Sequence, residues 1–264
     1  MPTAPTAAPA TGSAPAGSAP TGPGSDGPGP AGPGSDGPGP AGPGSDRAVA
    51  VAAEEFVRAQ TAIGAVPFVP EVRLHLAEEA IGLWERTESA KGEIGLPPPF
   101  WGFAWAGGQA VARYVLDHPE AVADRTVLDL AAGSGLVGIA CALRGAASVT
   151  AAEIDAYAVA AIGLNAAANG VAVEARCADL LPGDGSPAEV VLAGDVFYER
   201  AMADRVLPFL RRARARGALV LVGDPGRAYL PREHFTEVAS YRVPVVADLE
   251  DAPEKTSVVW RLDG

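Results

Sequence analysis

The stretch VLDLAAGSGLVG, from Val127 to Gly138, restricts the possible folds of this chain more than any other. Val127, Leu128 and Leu130 make a short apolar strand, and the run from Leu136 is helical. A strand must therefore become a helix within the few residues between them. Gly133, Gly135 and Gly138 stand in G-x-G-x-x-G spacing. The first two let the backbone turn tightly and approach a ligand with no Cβ in the way. In an open α/β sheet, ligands bind beyond the carboxyl ends of the strands, where such a turn lies. The spacing alone does not choose between a pyrophosphate and a ligand without phosphate.

The residues after this turn repeat the pattern. SVTAAEI, VAVEARC, AEVVLAGDV and GALVLVGD read as strands, with helices over 136–144, 157–169 and 200–214. Short apolar strands separated by helices imply a parallel sheet covered on both faces. YRVPVVADL and TSVVWRL flank a short acidic loop and suit an antiparallel hairpin at one edge. The expected fold over 125–264 is therefore α/β: a Rossmann-like, seven-stranded, mostly parallel sheet with an antiparallel final strand and helices on both faces. Ahead of it, Asp46 can cap a helix through AVAVAAEEFVRAQ. Leu76, Ala80 and Leu83 suggest a second helix over Pro70–Glu88. Pro97, Pro98 and Pro99 lead a loop into FWGFAW, and a third helix runs from about Gly108 to Leu116. Residues 47–119 are expected to form a helical, lid-like region.

The first 46 residues are different material. They contain no Lys, Arg, aromatic, Leu or Ile, and the decad AGPGSDGPGP nearly repeats its predecessor. Such a segment cannot bury enough apolar surface to offset its ordering entropy and is expected to be disordered. It has neither the basic start and apolar core of a signal peptide nor the arginines of a mitochondrial presequence. No apolar run reaches the ~18 residues of a membrane helix. Two cysteines and three scattered histidines offer no metal-ligand cluster. The formal charge is −12, of which the tail supplies only Asp26, Asp36 and Asp46. So acidic a domain is a poor electrostatic partner for nucleic acid. The expectation is a cytoplasmic, monomeric protein with no metal, no membrane and no nucleic-acid partner.

Three acids after successive strands bear on the ligand. Asp129 ends its strand four residues before Gly133. A carboxylate there is unwelcome beside a pyrophosphate and welcome beside a cationic ligand with an amino-acid moiety, such as S-adenosylmethionine. Glu153 falls 20 residues after Gly133, where it can accept from both ribose hydroxyls, a device NAD binders share. Asp179, in RCADLL, can accept from an adenine amino group.

Asp129, the loop of Gly133, Ser134 and Gly135, Glu153 and Asp179 together resemble the class I S-adenosylmethionine-dependent methyltransferases. After the fourth strand, Asp195-Val196-Phe197-Tyr198 is similar to the D-x-x-Y motif of seven-strand protein-lysine methyltransferases. PPPFWGFAWAGGQAVARYVLDHP, GDVFY and LVGDPGRAYLP look most like the lysine methyltransferases of the electron transfer flavoprotein β-subunit. That resemblance implies S-adenosylmethionine as cofactor and a protein substrate, the β-subunit itself. It implies that Asp195 and Tyr198 frame a lysine channel, Trp105 lies against the cofactor and Gly194 lines its side of the fourth strand. Phe100, Trp101, Phe197 and Tyr198 would form the channel's aromatic wall. A small-molecule, nicotinamide-type N-methyltransferase is the alternative, and an NAD-dependent oxidoreductase or a non-catalytic cofactor-binding protein is less favoured.

Overall fold

The computed structural model describes residues 43–92, 94, 98–245 and 252–264. The expected disordered tail lies outside them except for its last four residues. Those four are helical, because α1 spans Pro43–Gln60 and so begins ahead of Asp46. Proline suits the first turn of a helix, where its missing N–H would have no partner anyway.

The core is the expected sheet. Its strands are β3 (Thr126–Leu130), β4 (Ser148–Glu153), β5 (Glu174–Cys177), β6 (Val190–Gly194), β7 (Leu219–Asp224), β8 (Phe235–Pro244) and β9 (Glu254–Leu262). They lie in the order β5-β4-β3-β6-β7-β9-β8. β3 pairs in parallel with β4 on one side and β6 on the other, so the strand order reverses beside the glycine turn. β9 runs antiparallel to both β7 and β8. The hairpin begins at Phe235, six residues earlier than its alternation suggested, and residues 246–249 of its first expected strand lie outside the described ones.

Alternation along the strands assigns the two faces. Leu128, Leu130, Val191, Ala193, Val220 and Val222 pack with Val206, Phe209 and Leu210 of α6 (Arg200–Ala215). Val127, Val149, Val190, Leu192 and Leu221 pack with Ala110, Val111 and Val115 of α3 (Ala106–Asp117) and with Val137 and Cys141 of α4 (Leu136–Leu143). α5 (Ala156–Ala168) follows β4. No described helix is long and apolar enough to cross a membrane.

The helix expected over Pro70–Glu88 is corrected. Val69–Leu76 is strand β2, paired antiparallel with β1 (Ala62–Val66), and α2 begins only at Ala80 and ends at Lys91. Val72, Leu74 and Leu76 also repeat at period two, and the β-branched valines favour the extended form. Val69, Val72 and Leu74 are fully buried. The hairpin docks on the helical layer through Asn165, a buried α5 residue. Its Oδ1 accepts from His75 N at 2.7 Å, and its Nδ2 donates to Ser134 O at 2.8 Å. One amide thus joins the N-terminal hairpin to the glycine turn.

Candidate active site

The carboxyl ends of β3, β4, β6 and β7, the FWGFAW segment and the first turn of α3 meet at one end of the sheet. Gly133 and Gly135 have φ of 54° and 78°, values a Cβ disfavours. Glu153 ties the loop to β4. Its Oε1 accepts from Gly133 N at 2.8 Å and its Oε2 from Ile154 N at 3.0 Å. Burial pushes its carboxyl up, against both N–H donors. Ile154 is 74% exposed beside it, and sequence reasoning did not single it out. Its signal was an isoleucine directly after a strand-end acid.

Asp129 lies behind the loop, 1% exposed, and its Oδ2 accepts from Gly138 N at 2.8 Å. Its hydrogen bond holds the first turn of α4. Burial pushes its carboxyl up to about 7, partly offset by the Gly138 N–H and reinforced by Glu153. Ser134 is buried in the same turn. Asp179 is exposed; its Oδ1 accepts from Leu181 N at 3.1 Å, and Arg205 of α6 pairs with Oδ2. That pair holds its carboxyl below the usual range.

The aromatic wall is smaller than expected. Phe100 lies 5.3 Å from the half-exposed Tyr198 and 5.6 Å from Trp105, ring centre to ring centre. Trp105 Nε1 donates to Phe100 O at 2.8 Å. Tyr198 is near enough to Glu153 and Glu199 for their charges, after burial, to raise its hydroxyl pKa. Trp101 and Phe197, by contrast, are core residues. Trp101 stacks on Tyr157 at 6.4 Å, and Phe197 meets Phe235 edge-on at 6.0 Å. A single 3₁₀ turn over Phe100–Gly102 separates Phe100 from Trp101 in this way.

Asp195 follows β6 with φ 53°, and both its oxygens have protein partners. Oδ2 accepts from Gly107 N at 2.5 Å and Gly108 N at 3.2 Å, at the amino end of α3. Oδ1 accepts from Arg227 Nη2 at 3.1 Å and Nε at 3.3 Å. Burial pushes the Asp195 carboxyl up to about 6, against the pull of Arg227. Asp224, at the end of β7, sets the Arg227 loop: its Oδ1 accepts from Gly226 N at 2.7 Å and Arg227 N at 2.6 Å. Its Oδ2 is buried without a hydrogen-bond partner. Helix α3 comes this close because glycines face one another. A Cβ on Gly194 would sit 2.6 Å from Gly108 Cα, and one on Gly223 would sit 2.0 Å from Gly107 O. Sequence reasoning missed Arg227 and this glycine contact; the visible signals were AGGQ and GDPGR.

Asp129 and Asp195 retain protons to higher pH in the folded chain than in the unfolded one. The folded state therefore binds more protons from about pH 4 up to about pH 7, and stability falls as pH rises through that window. His75, lowered by burial, opposes this once the pH drops below its ordinary value of 6.5. The ligand-free protein should melt higher at about pH 6 than at about pH 8, by calorimetry at constant ionic strength.

The site's surroundings match known methyltransferases. Residues 113–196 match the family model for ribosomal protein L11 methyltransferase (PrmA). The electron transfer flavoprotein beta subunit lysine methyltransferase of Xenopus laevis is 32% identical over 224 residues, covering 82% of this chain and 89% of that one. The Danio rerio protein of the same name is 36% identical over 198 residues, covering 73% and 76%, and the human one 33% over 204 residues, covering 72% and 74%. With a glycine turn at a strand-order reversal, an acid ending the next strand and an antiparallel last hairpin, the chain belongs to the electron transfer flavoprotein β-subunit lysine methyltransferase family of class I S-adenosylmethionine-dependent methyltransferases.

Proposed function

We propose that this methyltransferase acts on the ε-amino group of a lysine in a protein, and that the substrate is an electron transfer flavoprotein β-subunit. The observation that carries the proposal is a juxtaposition. The Asp195–Tyr198 segment stands at the end of β6, with the Tyr198 ring against Phe100 and within reach of the Glu153 charge. An acceptor-side pair thus shares the carboxyl end of the sheet with a donor-side carboxylate. The names of the relatives supply the substrate class.

In this reading the loop Gly133–Gly135, Glu153 and Trp105 hold the cofactor. Glu153 accepts from the ribose hydroxyls, Asp179 from the adenine amino group once Arg205 makes room, and Gly194 lines the strand end. Asp129 holds α4 and favours the cofactor's positive charge through the loop. Tyr198 and Phe100 flank the incoming side chain, and a well-placed aromatic face favours a cation by ~0.5–2 kcal/mol. The lysine arrives as ammonium, with an ordinary pKa of ~10.4. Desolvation at the rim promotes loss of a proton to water. Bound S-adenosylmethionine would supply its methyl group in line to that nitrogen lone pair, the electrons of the carbon–sulfur bond staying on the sulfur of the departing S-adenosylhomocysteine. Alignment supplies most of the catalysis, since the enzyme contributes no nucleophile.

Glu153→Gln keeps the size but gives its amide a donor where Gly133 and Ile154 already donate. Cofactor affinity should fall about tenfold by titration calorimetry, in line with ~1.4 kcal/mol for a charge-assisted hydrogen bond. The function itself is tested with tritiated S-adenosylmethionine, purified enzyme and an extract of its own cells, divided into proteins and small molecules. Label in a β-subunit band, mapped to lysine by mass spectrometry, supports the proposal. Label confined to small molecules overturns it in favour of a metabolite acceptor.

A further inference from the structure

We propose that Arg227 is an internal stand-in for the substrate cation: it occupies Asp195 until an acceptor ammonium displaces it, so that it gates acceptor binding. The inference rests on the proposed lysine acceptor and takes Asp195, at the head of the Asp195–Tyr198 segment, as the seat of its ammonium.

Within the Asp195 carboxyl, one oxygen can seat an incoming ammonium. Asp195 Oδ2 is committed to the amino end of α3 through Gly107 and Gly108. Oδ1 is the oxygen that remains, and it accepts from two Arg227 nitrogens at 3.1 and 3.3 Å. The Asp195 side chain is 10% exposed and that of Arg227 is 24% exposed, so the guanidinium covers the more buried carboxylate. A buried carboxylate without a cation is strongly disfavoured. One cation can therefore replace the other at Oδ1, but the oxygen is poorly left with neither.

The loop is built to present this arginine. Gly226 has φ 94°, and Asp224 fixes the turn by accepting from the backbone N–H groups of Gly226 and Arg227. The backbone anchor is thus separate from the bonds to Asp195 Oδ1, so the turn stays held by Asp224 when those bonds break. A planar guanidinium grips with two nitrogens what an ammonium holds with one, which sets a threshold. Only an acceptor with further contacts at the rim, at Tyr198 and Phe100, would displace it. A free amine of the same chemistry is held off. The resting enzyme is thereby shielded from small amines.

The test uses the full chain saturated with S-adenosylhomocysteine and n-butylammonium as the probe of the cation seat, with binding followed by NMR. Arg227→Met keeps the side-chain stem and removes the competing charge. If the wild type is closed by Arg227 about nine-tenths of the time, the variant should bind the probe roughly tenfold more tightly. A purely structural Arg227 predicts the opposite sign, because its loss would disorder Asp195 and weaken binding. Unchanged or weaker binding overturns the proposal. If Arg227→Met does not fold, Arg227→Lys keeps the charge with a one-nitrogen grip. It should then tighten probe binding about threefold, and equal or weaker binding overturns the proposal in the same way. Transfer to a purified β-subunit is measured in parallel. Failure of all forms there, with probe binding still tightened, would sink the substrate assignment and leave the gate standing.

Discussion

Asparagine at position 195 should remove methyl transfer from an enzyme that still folds and still binds its cofactor. Asp195 Oδ2 accepts from the two N–H groups that open α3, and an amide oxygen can accept from both. Asparagine also tolerates the left-handed backbone at this position, where φ is 53°. What it cannot supply is the charge at Oδ1. A lysine ammonium loses its counter-ion, and Arg227 loses its charged acceptor at Oδ1. Transfer should drop at least about 100-fold, the scale of losing one charge-stabilising group in an active site. The S-adenosylhomocysteine dissociation constant should move less than about threefold, a shift of ~0.6 kcal/mol. Tritium transfer and calorimetry on the same preparation measure both. Full turnover in the asparagine form would remove Asp195 from the acceptor site. Alanine is the less informative change. It leaves the N–H groups of Gly107 and Gly108 without their side-chain acceptor and removes the ion pair with Arg227, and breaking such a buried pair costs about 3–5 kcal/mol of stability.

The second large effect is one of packing. Gly223→Ala should destabilise the protein by about 3 kcal/mol, because the added Cβ would lie 2.0 Å from Gly107 O and 2.7 Å from Gly107 C. The third neighbour is Val111 Cγ2, also at 2.7 Å, on a β-branched side chain with little freedom, so nothing gives way cheaply. Relief requires α3 to lift from β6 and β7, which also withdraws Gly107 and Gly108 from Asp195. Melting should fall by roughly 6–12 °C for a domain of this size. Gly163→Ala is the matched control. It is an exposed glycine within α5 whose Cβ would meet nothing within 4 Å. There the gain in helix propensity should stabilise by about 0.5–1 kcal/mol. Equal melting temperatures for the two variants would refute the close-packed glycine contact.

The same contact marks where the chain stops being readable along its length. VLDLAAGSGLVG announced its strand, turn and helix, because each step is a local consequence of periodicity and of glycine's freedom at positive φ. The strands β3 to β7 followed from apolar runs punctuated by helices. β2 did not, because Leu76, Ala80 and Leu83 satisfy a helical period while Val72, Leu74 and Leu76 satisfy a strand period. Pairing with β1 and burial against α5 decided between them. The aromatics divided in the same way. Phe100 and Trp101 are neighbours of similar chemistry, and only the fold puts one against Tyr198 and the other in the core.

Sequence alone settled what depends on order and spacing: the sheet, the glycine turn, and the carboxylates that close β3, β4 and β6. It could locate those carboxylates but not their partners. Asp195 is 88 residues from Gly107 and 32 from Arg227 along the chain. Their meeting depends on α3 crossing the sheet ends at glycine-to-glycine distance. Hydrogen bonds and charge pairs act over a few ångströms of space, whereas periodicity acts over a few residues of chain. The tertiary structure therefore decided which acids hold helices, which face the opening, and which already carry a cation.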